Sequence, residues 1–520
     1  MAIFRQMTPT SHVPRRLVLL RNVFANWAGL AAEITVAFFL TPYIIHGLGP
    51  AVYGVWSLAN GIIGYLGLID LGIRGSLGRF VNQYLARGEH RALNELLSSA
   101  VAFLTGAAVV VGIVAVVLGE FFGLVFPKTP PDLAAQMALV LPLLAIGLWI
   151  SFVSALFRSV LAAYDRFPLL NVIGLATLAL RAGLVVLALH NHYGLLGLVF
   201  AVVVSSGVGL LAAMLAAHRV HRPLALGAGS FSVARLREVW RFGVVALITR
   251  SASEIVYQSD QIVLMMFLGP RAVAVYSIAN MLLLYGQRIV EQLGVVIDPS
   301  VMKSGGVGDY AGLRTTYSWY PRVAYFVAIP VYVGFIVFGG QFIRLWVGPE
   351  FEEAIWVLRI LSIAELATLF TSIGGNVLFS LGRLRFGLYC SCGEALLNVA
   401  LTLALVGWFG MGTIGAAIGT LVAAVACRGI IHPWYTTSAL GMRFGNYFRA
   451  TIPRALGVIL AAYLVFYFVE SKLGTASWAT FAGGVMLATV AYLSFGPAGM
   501  LGWRNASRIV ASLAPRRHRA

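Results

Sequence analysis

Apolar runs of about 20 residues, the length that crosses ~30 Å of hydrocarbon at 1.5 Å per helical residue, recur along the whole chain. Short polar segments separate them, every second one rich in arginine. The runs predict spanning helices over residues 22–45, 51–70, 98–119, 134–157, 168–190, 194–217, 242–267, 271–297, 321–342, 354–380, 386–408, 411–431, 452–469 and 477–496. The pattern is that of an all-α integral membrane protein with about 14 transmembrane helices. Two of the polar stretches keep an apolar stripe at helical spacing: Leu77, Phe80, Val81, Tyr84 and Leu85 in one, and Val233, Leu236 and Trp240 in the other. Both read as amphipathic helices lying in the membrane interface.

Composition agrees with this pattern, since hydrophobic residues make up 60% of the 520 positions and charged residues 11%, against roughly 25% charged in soluble domains. No soluble fold hides that much apolar surface. The net charge of +18 would suit nucleic acid if it lay along one face. The basic residues cluster between spans instead, so no nucleic-acid partner is expected. Cys390, Cys392 and Cys427 fall in or beside apolar runs, which points to neither a disulfide framework nor a metal site.

The basic clusters test the span count, because cytoplasmic connections are enriched in Lys and Arg. Arg74, Arg79, Arg87 and Arg91 follow the second span, Arg219, Arg222, Arg235, Arg237 and Arg241 the sixth, and Arg428, Arg443, Arg449 and Arg454 the twelfth. Arg504, Arg508, Arg516, Arg517 and Arg519 follow the last. Basic and non-basic connections alternate without a break, which places both termini in the cytoplasm. The first run follows Arg15, Arg16 and Arg21, but it exceeds a signal-peptide core and stays as a span.

The chain also repeats itself. Residues 48–60 (LGPAVYGVWSLAN) align without gaps on residues 268–280 (LGPRAVAVYSIAN), with 7 of 13 positions identical. The same register pairs Gly88, Glu89 and Leu93 with Gly308, Asp309 and Leu313. A register of 217 pairs Arg166 with Arg383, and Leu180 and Arg181 with Leu397 and Asn398. Six spans separate the copies, so both enter the membrane in the same direction. The division that follows is a cytoplasmic segment 1–21, a first six-helix lobe 22–217, a linker 218–241 and a second lobe 242–431. A cytoplasmic loop 432–451, an appended helix pair 452–496 and a basic tail 497–520 complete it. Duplication of this kind suits a carrier whose lobes rock about a shared cavity, and an enzyme has no need of it.

Leu40-Thr41-Pro42-Tyr43, Tyr53-Gly54-Val55-Trp56, the run 64–72 (GYLGLIDLG) and Ser259-Asp260-Gln261 leading into the second LGP resemble one branch of a known superfamily. It is the polysaccharide-transporter branch of the multidrug, oligosaccharidyl-lipid and polysaccharide exporter superfamily. The resemblance implies an O-antigen-type flippase of the bacterial inner membrane that serves cell-surface polysaccharide and lipopolysaccharide synthesis. Its cargo would be an oligosaccharide linked to polyprenyl pyrophosphate, carried outward by alternating access. It further implies membrane lipids and a glycan polymerase or other assembly protein as partners, and no cofactor beyond H+ or Na+ coupling. The chain carries no GxxxxGK[ST] phosphate loop.

Charges inside the hydrocarbon are functional candidates because they are costly unless paired or wetted. Arg250 and Glu254, and Arg288 and Glu291, each share a helix face, so they either neutralise one another or line the cavity. In the second case the arginines would grip pyrophosphate oxygens, while carboxylates or Tyr257 bond sugar hydroxyls. Arg181 is read as a helix-to-helix hydrogen bond or a substrate contact. Glu33, Asp260, Glu365 and Glu394 have no cation three or four residues away on their own helix and are candidates for ion coupling. An ion-coupled multidrug exporter would use the acidic residues instead, and a peptidoglycan-precursor flippase would share the pyrophosphate. A glycan polymerase or ligase, the enzymatic alternative, would bring a sizeable external catalytic loop.

Overall fold

The computed structural model describes residues 15–70, 72–227, 230–473 and 477–502. Within these, the side chains of 15–28, 74–76, 239, 241–250, 252, 253, 257, 295, 296 and 384 are outside the described set. The helices up to the linker are α1 (Arg15–Leu48), α2 (Pro50–Leu66), α3 (Ile73–Ala86), α4 (His90–Glu120), α5 (Phe122–Val125), α6 (Pro131–Ala163), α7 (Phe167–His190) and α8 (Gly194–Val220). Beyond it come α9 (Val233–Phe267), α10 (Pro270–Gly306), α11 (Tyr310–Trp346), α12 (Glu353–Thr368), α13 (Gly374–Ser380), α14 (Leu384–Thr402), α15 (Gly412–Ala424), α16 (His432–Ala439), α17 (Phe444–Leu473) and α18 (Trp478–Leu501). Among the described residues there is no strand.

Among the described residues, thirteen helical stretches are long and apolar enough to cross a membrane, and they coincide with thirteen of the fourteen expected spans. The remaining span, 242–267, lies in α9 and carries Arg250, Glu254 and Asp260 within about three turns, which lowers its apolar character. Two expectations change. The stripe on α3 is not a lipid-facing surface, because Leu77, Phe80, Val81 and Tyr84 are all buried in protein. The segment 233–240 is not a separate helix either: it runs without interruption into the rest of α9.

The duplication is visible in the backbone. Gly49 and Gly269 take φ of 84° and 91°, and each is followed by a proline in the first turn of α2 or α10. Only glycine enters that region freely, and proline is pre-set for a helix start. Gly88 and Gly308 have φ of 69° and 71°, and in the 217 register Asp165 and Gly382 have 54° and 71°. The turns repeat even where the residues differ.

By contacts the chain forms two compact units. One contains the chain up to Gly47 with Gly72–Val116 and Leu139–Gly243, and the other contains Leu48–Leu71, Val117–Ala138 and the chain from Val244 onward. In the first, α4 buries Leu93, Leu96, Leu97, Ala100 and Leu104 while Val109, Val110, Ile113 and Val114 stay uncovered by protein, a two-faced helix as lipid requires. In the second, α11 is covered on most sides. Its Tyr317, Tyr325 and Tyr332 are fully buried, and the Tyr325 hydroxyl donates to the Leu366 carbonyl at 2.9 Å. The appended pair α17 and α18 packs on α11, anchored where the Tyr492 hydroxyl donates to the Phe326 carbonyl at 2.9 Å.

Candidate functional site

The second unit concentrates its polar chemistry where α9, α10, α14 and α15 meet. Asp260, on α9, is 1% exposed. Its Oδ2 accepts from the Tyr276 hydroxyl of α10 and from Thr420 Oγ1 of α15 at 2.8 Å. Its Oδ1 accepts from Thr402 Oγ1 of α14 at 2.8 Å. Asn398, one helical turn before Thr402, is fully buried. It accepts from Ser259 Oγ at 3.1 Å and donates to Thr420 Oγ1 at 2.9 Å. Among the described residues, the groups that bond Asp260 are neutral, three hydroxyls and the Asn398 amide, and none is a Lys or Arg. A buried carboxylate held this way keeps its charge only at a cost, which a proton or a small cation would relieve.

A second cluster lies alongside it. Glu365 on α12 and Glu394 on α14 both meet Arg428, whose Nη1 is 3.3 Å from Glu365 Oε1 and whose Nε is 2.8 Å from Glu394 Oε1. By the charge pattern alone Arg428 counts among the cytoplasmic clusters. It sits instead in the π-helical turns Val425–Ile431 that carry α15 into α16, a distortion common at working sites. Neither carboxylate has a cation three or four residues away on its own helix; its cation comes from another. Between the two clusters lies a cavity of about 10 Å³ lined by Tyr276, Asn280, Glu365, Thr420 and Arg428 among others, room for one water molecule.

The α2 and α10 helices, the two copies of the repeated motif, pack against each other. A Cβ on Gly54 would lie 1.9 Å from the Pro270 carbonyl oxygen, so a side chain there would force the helices apart. Ser57 Oγ donates to Ser277 Oγ at 2.7 Å, and Ser277 Oγ donates on to the Val273 carbonyl at 2.6 Å. These serines occupy the same position in the two copies. Further along α2, glycines admit polar side chains of α9: a Cβ on Gly61 would meet Gln258 Oε1 at 3.0 Å, and one on Gly64 would meet Glu254 Oε2 at 3.6 Å. Glu254 therefore faces α2.

The other candidates fall into three groups. Arg288 and Glu291 are exposed on α10. The Arg288 guanidinium lies 5.8 Å from the Tyr285 ring centre, and Glu291 feels the charges of both Arg288 and Glu365, which links α10 to the Arg428 cluster. In the first unit, Arg181 on α7 donates to Ser205 Oγ at 3.3 Å and to Ser206 Oγ at 3.4 Å on α8, within electrostatic reach of Glu33 on α1. The side chains of Arg250 and Tyr257 lie outside the described residues. The sequence pattern does not mark Tyr276, Thr402, Thr420, Arg428 and Asn280 as site residues. Asn280 stands inside the repeated motif and Thr402 one turn from the flagged Asn398, so periodicity held a partial signal for both.

The chain is 20% identical over 430 residues, 80% of its length and 98% of the relative's, to a Shigella flexneri protein described as "Putative O-antigen transporter". Its fold resembles that of the lipid II flippase MurJ in an inward closed conformation, at a TM-score of 0.71 and 14% identity over 94% of this chain and 100% of that one. It also resembles an inward-facing multidrug resistance MATE family transporter of the MOP superfamily, at 0.67 and 16% over 78% and 94%. A third likeness is a MOP superfamily transporter from Pyrococcus furiosus, at 0.61 and 14% over 81% and 95%. Residues 19–303, which take in both copies of the repeated motif and Asp260, match the family described as polysaccharide biosynthesis protein. With the duplicated helices and the match running through them, this chain belongs to the polysaccharide biosynthesis protein family.

Proposed function

We propose that the chain is a carrier of the bacterial inner membrane, with both termini in the cytoplasm, that moves a polyprenyl-pyrophosphate-linked oligosaccharide to the outer leaflet. The observation that carries this reading is the Ser57 to Ser277 contact. Equivalent residues of two parallel copies meet through small side chains and one hydrogen bond, a seam light enough to part and reform. In alternating access that seam is the external gate. Arg250 and Arg288 grip the pyrophosphate by charge-assisted forks, with Arg181, Glu254, Tyr257 and Glu291 bonding the remaining polar groups. Asp260 carries the coupling H+ or Na+. The family membership and the Shigella flexneri relative favour a glycan cargo.

Flipping of a fluorescent polyprenyl-pyrophosphate oligosaccharide in proteoliposomes tests the reading. Oxidising a Ser57→Cys, Ser277→Cys pair should stop flipping and reduction should restore it. Arg250→Ala or Arg288→Ala should abolish flipping, and surface glycan in cells, at unchanged protein level. Full flipping by the oxidised pair would exclude the gate, and full surface glycan in both arginine variants would exclude the anion grip.

A further inference from the structure

The first turns of α4 and α11 begin at equivalent turns of the duplication, and each holds the chain that leaves its own half. In the first unit, Asn94 Nδ2 donates to the Pro223 carbonyl at 2.8 Å, and Asn94 Oδ1 accepts from the Ala225 amide at 3.2 Å. Ser98 and Ser99 extend the contact by accepting from the Gly227 amide at 3.3 Å and the Ser232 amide at 2.7 Å. The segment is pinned at its start as well, where the His221 ring meets the Tyr164 hydroxyl at 2.7 Å, and Leu224 is buried. Past Ser232, Arg235 reaches Glu95 Oε2 at 3.7 Å and Glu238 accepts from the Tyr84 hydroxyl at 3.0 Å.

In the second unit, Arg314 Nε donates to the Leu440 carbonyl at 2.6 Å, and Leu440 is fully buried. Arg314 is the repeat counterpart of Asn94 in the 220 register, and Leu440 is the counterpart of Pro223 in the 217 register. The same carbonyl is thus gripped from the same place in both halves by unlike side chains, an amide in one and a guanidinium in the other. Backbone groups leaving a helix need partners. Water would supply them at no cost to the chain, so a duplicated protein partner points to a retained mechanical role.

We propose that Asn94 and Arg314 are paired clasps that make the segment trailing each half a permanent part of it, so that residues 221–227 and 230–232 move with α4 and residues around 440 move with α11 throughout the working cycle. The clasps are read from hydrogen bonds and the repeat, and only the export arm of their test rests on the proposed carrier function.

Leu224→Cys and Leu440→Cys, buried in the clasped state, report the clasps directly through reaction with a maleimide in detergent-solubilised protein. Asn94→Ala should speed labelling at 224, and Arg314→Ala labelling at 440, by about fivefold or more, as loss of hydrogen bonds of ordinary strength implies. Unchanged labelling in both variants would overturn the proposal. In the export arm, Asn94→Ala should lower surface glycan severalfold, and an oxidised Ser98→Cys, Gly227→Cys pair should restore it. The same disulfide in a chain with Asn94 intact should leave export at its normal level. Loss of export on oxidation would show that the segment must come off α4 and would overturn permanence. A labelling change without an export change would keep the clasp and reject its role in transport.

Discussion

Arg181 and Asn398 occupy equivalent positions in the two copies, yet the structure puts them to different use. Each reaches from the fifth helix of its half to the sixth: Arg181 to Ser205 and Ser206, Asn398 to Thr420. In the first unit the matter ends with two serine oxygens and the nearby Glu33 charge. In the second, Asn398 is one wall of a cage around Asp260, next to three charges centred on Arg428. A duplicated scaffold has kept one helix-to-helix contact and built a buried carboxylate cage on only one copy of it. The comparison therefore separates a polar contact between two helices from one that forms part of a buried carboxylate cage.

The largest expected effect comes from Arg428. Arg428→Met leaves Glu365 and Glu394 buried without their cation, and removing one partner of a buried ion pair costs about 3–5 kcal/mol. Thermal unfolding in detergent should show that loss. Adding Glu365→Gln and Glu394→Gln should recover most of it, because the uncompensated charges disappear. A single Arg428→Met variant as stable as the parent would mean that the three charges are wetted rather than mutually dependent.

Asp260→Asn comes next. Asparagine keeps an acceptor for the hydroxyl donors and removes the charge, so stability should change little. Transport should fall on the order of 10- to 100-fold, the scale of coupling free energies of 1–3 kcal/mol, and should lose its dependence on an ion gradient. Proteoliposome flipping with and without H+ and Na+ gradients measures both. A variant that still responds to the gradient would move the coupling role away from this cage.

The comparison itself is tested by truncating both equivalents. Asn398→Ala takes the acceptor from the Ser259 hydroxyl and the amide donor from Thr420 and should cost about 1–3 kcal/mol, as buried polar groups that lose partners do. Arg181→Leu should cost less, because hydrogen bonds between membrane helices average about 0.6 kcal/mol. The reverse order in thermal unfolding would show that the first unit depends on its polar contact as much as the second does.

Much of this architecture was legible in the sequence, for physical reasons. Hydrocarbon thickness fixes span length, and positive φ at Gly49, Gly269, Gly88 and Gly308 demands a residue type that survives as a visible motif. What could not be read are contacts made across helices far apart in sequence. Glu365 and Glu394 look unpaired because periodicity compares a residue only with its neighbours one turn away, whereas Arg428 arrives from a distorted turn of another helix. Arg428 also resembled a cytoplasmic residue because the positive-inside rule counts charge without knowing where a helix ends. The stripe on α3 failed similarly: period 3.6 reports that a face is covered but does not say whether lipid or protein covers it.

The smallest effect concerns pH at the first clasp. His221 is buried; its Nδ1 meets the Tyr164 hydroxyl, its Nε2 is buried without a partner, and its ring lies 5.1 Å from that of His90. Burial first, and the neighbouring His90 second, push its pKa below the ordinary 6.5. The docked state then binds fewer protons than the released one between that lowered value and 6.5, so docking is favoured above 6.5 and weakens as pH falls below it. A nitroxide on exposed Ala225→Cys should gain mobility between pH 7.5 and pH 5.5, and His221→Asn should remove that difference. Equal mobility at both pH values in the parent would mean that a protonated His221 finds a partner in place and that the clasp is indifferent to acid. The same label beside Asn94→Ala should be mobile at both pH values, which separates release by protonation from release by loss of the amide.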